Sequence, residues 1–253
     1  MFNKILSRIG IGGTKVDTRL FKSQFSPGET MFGEVHLFGG STEQDVVRVF
    51  LEVVTKYQAD IGYEESVLLE HELTGPFRML PGQEMVLPVE VWLPYETPLT
   101  LGTDSVSLRT VLDIRGAVDP GDRDPIEVIP TPLMQSVLDG LNALGFELQG
   151  FETRYAPHFE RPVPFVQGLL HVPRGGEFLG AFDALSVMFE ADDDGMTVLF
   201  GIDRRTRGLA GWFSSAADID EHYIQLDVIP EDAERTVEEW AGLLADVLRQ
   251  GGA

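Results

Sequence analysis

A chain of 253 residues with 43% hydrophobic and 24% charged residues has the composition of a folded protein, and it exceeds the roughly 100 residues of one immunoglobulin-sized sandwich, so two domains are expected. The absence of cysteine excludes disulfides, thiolate metal sites and cysteine nucleophiles, and it fits a reducing cytoplasm. A formal net charge of −22 argues against nucleic acid as a partner, since a phosphate-tracking surface is basic.

Charge is unevenly placed: residues 1–23 are net +4 and the remainder carries −26. The acidic surface either serves solubility and mutual repulsion or steers a basic partner. No run reaches the ~18 uncharged apolar residues of a spanning helix, and no signal segment is legible, so a soluble cytoplasmic protein is expected.

In chain order, Phe2, Ile5, Leu6 and Ile9 recur at helical spacing with Lys4 and Arg8 between them. This short basic helix either docks on its own sandwich or makes a weak membrane-surface or partner contact. From Thr14 to Pro130, short β-branched or alternating runs separated by Pro and Gly predict strands near 15–20, 31–38, 45–58, 65–73, 84–93 and 105–119. In the third of these, Val47, Val49, Leu51, Val53 and Thr55 share a face that should meet the core. Ser26-Pro27-Gly28-Glu29 and Leu80-Pro81-Gly82-Gln83 fit type II turns. The Pro- and Asp-rich run 119–125, followed by Pro130-Thr131-Pro132, reads as the domain boundary, giving domains 1–130 and 131–253.

Leu133, Val137, Leu141 and Leu144 predict a helix over 133–145, stopped by Gly145 and bridging the domains. Strands follow near 146–155, 165–172, 184–190, 197–203 and 222–228, enough for a second, smaller sandwich. Asp194-Gly195 suits a tight type I′ hairpin turn. A final amphipathic helix over 232–249 carries Val237, Trp240, Leu244 and Val247 on one face. The fold class is therefore all-β, two tandem sandwiches with a bridging and a C-terminal helix.

Several segments resemble one family. Lys15-Val16-Asp17-Thr18-Arg19-Leu20, Phe25-Ser26-Pro27-Gly28-Glu29 and Gly33-Glu34-Val35-His36-Leu37 are similar to the opening of the bacterial sporulation-control protein M family. Leu112-Asp113-Ile114, Ala117-Val118-Asp119-Pro120, Asp122-Arg123-Asp124, Leu144-Gly145-Phe146, Pro164-Phe165-Val166-Gln167 and Asp203-Arg204-Arg205 extend the likeness along the chain. The resemblance implies a tandem arrestin-like fold and a regulatory role in stress or sporulation control through contacts with other proteins. It implies no catalytic residues.

Catalytic constellations are absent from the sequence: there is no Gly-x-Ser-x-Gly elbow, phosphate loop or His-Glu-x-x-His helix. The expected protein is not an enzyme and needs no cofactor or metal. Glu70-His71-Glu72 reads as a solvated strand, because alternation sends His71 away from both carboxylates. Asp192-Asp193-Asp194 and Asp119, Asp122, Asp124 offer calcium-type oxygens without EF-hand spacing, and read as a hairpin tip and a linker. Arg204, Arg205 and Arg207, with Trp212 and Phe213 beside them, are the candidate partner-binding residues, since guanidiniums hold carboxylate or phosphate bidentately. Pairing with the chain's own acids is the alternative. Edge-strand pairing with another protein, or with a second copy as a homodimer, is one mode open to such a scaffold; the alternative reading is a membrane-surface or small-ligand-binding module using the basic N-terminal segment or a pocket between the sandwiches.

Overall fold

The structure, a computed structural model, describes residues 13–102, 105–116, 120–157, 159, 161–181, 183–203 and 223–251. They form two compact units: one runs to Lys56 and from Glu65 to Ile129, the other comprises Tyr57–Glu64 and the chain from Pro130 onward.

Among the described residues, nine strands precede helix α1: β1 (Lys15–Leu20), β2 (Gln24–Phe25), β3 (Thr30–Phe38), β4 (Gln44–Gln58), β5 (Tyr63–Thr74), β6 (Phe77–Met79), β7 (Glu84–Trp92), β8 (Val106–Ile114) and β9 (Gly121–Val128). In the first unit one sheet has the order β1-β3-β7, and another joins β4, β8, β9 and β2, with β5 and β6 also paired to β4. Strand alternation turns Met31, Val35 and Leu37 of the first sheet and Val49, Leu51, Val53, Leu108 and Leu112 of the second into the core. Each such side chain contributes about 1.5–3 kcal/mol by leaving water. A bulge between Val46 and Arg48 shifts the register of β4 against β8, so Val46 is buried opposite Ile114.

Both expected type II turns form. Gly28 and Gly82 have φ of 83° and 67°, and the closing bonds Glu29 N–H to Ser26 O and Gln83 N–H to Leu80 O measure 3.0 and 3.1 Å. The Asp- and Pro-rich segment is a correction: Gly121–Val128 is strand β9, paired along β8 and, at its end, with β2. Pro125 misled the reading, since proline is tolerated where a strand's N–H has no ladder partner, and β2 reaches only Glu127 and Val128.

In the second unit β10 (Phe146–Tyr155), β11 (Phe165–Pro173), β12 (Ala184–Ala191), β13 (Met196–Asp203) and β14 (Tyr223–Val228) pair antiparallel in chain order. Helices α1 (Pro132–Ala143) and α2 (Val237–Gly251) pack on each other and against β10 and β14, the two ends of that order. Thr131 caps α1 by accepting from Met134 N–H at 3.2 Å, and Gly145 ends it at φ 88°. At Gly140 a Cβ would lie 3.0 Å from Trp240 Cβ and 2.8 Å from Leu244 Cδ1, so the missing side chain lets the helices cross closely.

Thr236 and Glu239 form a reciprocal capping box that starts α2 five residues after the expected 232. Its buried stripe is Trp240, Leu244, Ala245 and Leu248, rotated from the expected one, and Val237 is exposed. The β12–β13 hairpin also differs from expectation. Ala191 pairs with Met196, and Gly195 is not at positive φ. Asp192 Oδ1 instead accepts from the N–H groups of Asp194 and Gly195, both at 2.9 Å. Glycine is required at 195 because a Cβ would meet Val228 O at 2.4 Å.

Candidate functional site

The face of the β1-β3-β7 sheet that turns away from the core carries the first unit's exposed aromatic cluster. Alternation that buries Met31, Val35 and Leu37 sends Phe32, Glu34 and His36 outward, opposite Glu90, Pro88 and Val86 of β7. Phe21 follows β1 and bonds Phe32 O through its N–H at 3.0 Å. Phe21 is 71% exposed, Phe32 49% and Val86 51%. With Pro88 they wall a cleft of about 380 Å³ whose floor is Gly33 and Val89 and whose rim carries Glu34 and Glu90. Isolated exposed apolar residues need no explanation, but a contiguous set around a concavity marks a contact surface.

Local chemistry holds this face in shape. Gly33 sits where a Cβ would be 2.5 Å from Arg19 O and 2.9 Å from Leu20 Cα, so its lack of a side chain lets β1 approach β3. At one end Trp92 donates its indole N–H to Gly28 O at 3.1 Å and meets Tyr95 edge-on, with centroids 5.4 Å apart. Gly28 is obligatory there, because a Cβ would fall 2.3 Å from the Tyr95 ring. Lys22 pairs with Glu29 and lies over the Phe25 ring. Burial tends to raise the Glu29 carboxyl, but the bonds from Lys22 and Ser26 outweigh it and hold the group below the ordinary value.

The cleft lies beside an open sheet edge, since β7 ends the order β1-β3-β7. Bonds of Leu93 with Gly28 and Glu29, and of Gln83 with Gly39, place odd-numbered residues of β7 in bonding register with β3. Even-numbered residues then direct their backbone groups to the edge, and among them Pro88 has no N–H to offer.

The other outward face of this unit is different in kind. Arg109 Nε donates to Glu52 at 2.5 Å, its Nη1 to Glu65 at 2.7 Å, and Arg123 Nη2 reaches Glu65 at 2.6 Å. Arg48 bonds Glu70 at 2.7 Å and lies over the Phe50 ring. Burial pushes the Glu65 carboxyl up, yet the bonds and charges of Arg123 and Arg109 leave it below its ordinary value.

Of the sequence-selected residues, Arg204, Arg205, Arg207, Trp212 and Phe213 lie outside the described residues, as does the 1–9 segment. Glu70, His71 and Glu72 are exposed on β5, with Glu70 taken by Arg48. Asp192 caps its own hairpin. Asp122 and Asp124 face inward on β9, and Asp119 lies outside the described residues. Among the described residues no group of three or more His, Asp or Glu is placed to hold a metal, and no helix is long and apolar enough to cross a membrane. His171 is a core residue of the second unit, held neutral by burial that pulls it down to about 4.

The reading missed Phe21, Phe32, Val86 and Trp92. A signal existed for Phe32, because the alternation Met31, Gly33, Val35, Leu37 leaves it on the outward side.

The fold is that of an arrestin-like β protein, and an apolar cleft stands on the outward face of its β1-β3-β7 sheet. The family described as SpoOM protein matches residues 2–206. The sporulation-control protein spo0M of Bacillus subtilis (strain 168) is 36% identical over 253 residues, covering 98% of both chains. The crystal structure of Spo0M from Bacillus subtilis superimposes with a TM-score of 0.87 at 35% identity, over 95% of this chain and 100% of that one. The chain belongs to the SpoOM protein family.

Proposed function

We propose that the chain is a non-enzymatic regulatory adaptor, acting as sporulation-control relatives do in regulation, and that it captures a segment of a partner protein in the cleft between Phe21, Phe32, Val86 and Pro88. The observation that carries this reading is the contiguous exposure of these apolar side chains on a protein of net charge −22. A cleft floored by backbone, walled by aromatic and aliphatic groups and rimmed by Glu34 and Glu90 suits a segment with one or two apolar anchors and a neighbouring Lys or Arg. The acidic field speeds the approach of such a segment and repels acidic competitors. Pro88 disfavours strand addition along β7, so recognition runs through side chains rather than a backbone ladder.

Mild crosslinking of the tagged full chain in its own cells, followed by mass spectrometry, tests this with the double variant Phe21→Ser, Phe32→Ser. The expected result is a reproducible partner set whose recovery falls at least ten-fold in the variant while the melting temperature holds. Equal recovery from both proteins removes the cleft as the docking site. Recovery of only a second copy, with a dimer in light scattering, replaces the adaptor by a self-associating protein.

A further inference from the structure

β1 borders its sheet on one side only by β3, so its other edge must find partners elsewhere. It finds them on β9 and β8 of the other sheet in the same unit. Thr18 N–H donates to Asp122 Oδ2 at 2.8 Å, and Thr18 Oγ1 lies 2.5 Å from Thr110 Oγ1. Thr18, Thr110 and Asp122 are all buried. The corner where the two sheets meet is thus closed by a polar cluster and not by a strand ladder.

Asp124 lies two residues along β9 on the same face as Asp122, half-buried, and its Oδ2 is shielded from water with no hydrogen-bond partner. The Asp124 and Asp122 carboxyl groups are within hydrogen-bonding reach of each other, a contact that requires a proton on one of them. Asp17 on β1 adds a third negative group that bears on Asp124. The cations nearby are otherwise engaged: Arg19 on β1 holds Asp17 at 2.7 Å, while Arg109 and Arg123 sit on the opposite face of β8 and β9 with Glu52 and Glu65. Opposite Asp124 and Asp122, β8 places the uncharged Leu108 and Thr110, Lys15 is two residues along β1 from Asp17, and Glu127 on β9 is exposed and bonded by Gln24.

We propose that Asp124 holds a proton beside Asp122 and that the pair forms a pH-sensitive latch, which when protonated holds β1 to β9 and when ionised loosens β1 together with Phe21 at the wall of the cleft. Loss of the proton to solvent leaves two adjacent carboxylates and the nearby Asp17, and their repulsion falls on the bond from Thr18 N–H. Burial first, then the charges of Asp122 and Asp17, push the Asp124 carboxyl up to about 7. Because this lies above the ordinary 3.8, the protonated native state keeps its full stability at acid pH and loses it as pH rises through about 7.

The latch depends on the fold alone, so its test needs no partner. Amide hydrogen exchange of the isolated full chain is followed by mass spectrometry at pH 6 and pH 8, with times corrected for intrinsic exchange. Protection of residues 15–22 should fall at least ten-fold at pH 8, while β4 is unchanged. Asp124→Asn, whose amide can donate to Asp122, should keep that protection at both values. Equal wild-type protection at the two pH values overturns the latch, as does an undiminished pH effect in the variant. If the variant does not fold, a carboxyl 13C titration of the wild type decides: a step near 7 at Asp124 supports the latch, and titration of Asp124 below 5 overturns it.

Discussion

The two outward faces of the first unit are built from strands of the same chain yet handle exposure in opposite ways. On the β4-β8-β9 face, charged side chains that leave the core meet partners across the strands: Arg48 meets Glu70, Arg109 meets Glu52 and Glu65, and Arg123 meets Glu65. On the β1-β3-β7 face, the corresponding positions hold Phe21, Phe32, Val86 and Trp92. The first face is satisfied internally and gains little from a partner. The second keeps apolar area in water, a standing free-energy cost that a docked segment would relieve.

The contrast can be broken at the charged face first. Glu52→Ala removes one of the two carboxylates that hold half-buried Arg109, leaving only Glu65, and should cost about 2 kcal/mol in chemical denaturation, without touching partner recovery. A loss below about 1 kcal/mol would mean that the lattice is ornamental. Gly33→Ala attacks the frame of the apolar face. Replacing a strand glycine with alanine ordinarily helps, but here the new methyl meets the carbonyl of Arg19, a backbone atom that cannot step aside cheaply. The expected result is a loss of about 2 kcal/mol and exchange of β1 amides with it.

Arg123→Ala should cost only about 0.5 kcal/mol, since both partners are substantially exposed. It sharpens the comparison through pH. The lowered Glu65 carboxyl contributes stability that is present above its ordinary 4.5 and is lost as pH falls through its folded value. Denaturation midpoints of the variant should therefore depend less on pH between about 5 and 3. At the foot of the scale, the Phe21→Ser, Phe32→Ser variant should leave stability within about 0.5 kcal/mol, because both side chains stand largely in solvent.

Much of the fold is legible locally. Pro-Gly at 27–28 and 81–82 dictates type II turns, since proline fixes the first φ and glycine accepts the second. Thr131-Pro132 and Gly145 bracket α1 for equally local reasons. Errors arose where tertiary pairing overrides local chemistry. Pro125 marks a break by propensity, yet it sits within the β8–β9 ladder opposite Ser107, and the strand β2 on the other side reaches only Glu127 and Val128. Asp194-Gly195 matches a tight turn by composition, but the contact of Gly195 with the carbonyl of Val228 decides the loop. The stripe of α2 is rotated because its packing against Gly140 selects Trp240, Leu244 and Leu248.

The candidate site was less legible than the fold. Three arginines in four residues stand out in an acidic chain, while Phe32 or Val86 alone looks like any strand residue. Composition, period-two alternation, the turn glycines and prolines, and family membership were determined by the sequence itself, because each depends on neighbours a few positions apart. Which outward face gathers aromatics, and which inward aspartates meet at Thr18, was decided by the tertiary structure. Those meetings join residues such as Phe21 with Val86, or Thr18 with Asp122, whose proximity comes from strand register and sheet stacking that no local pattern encodes.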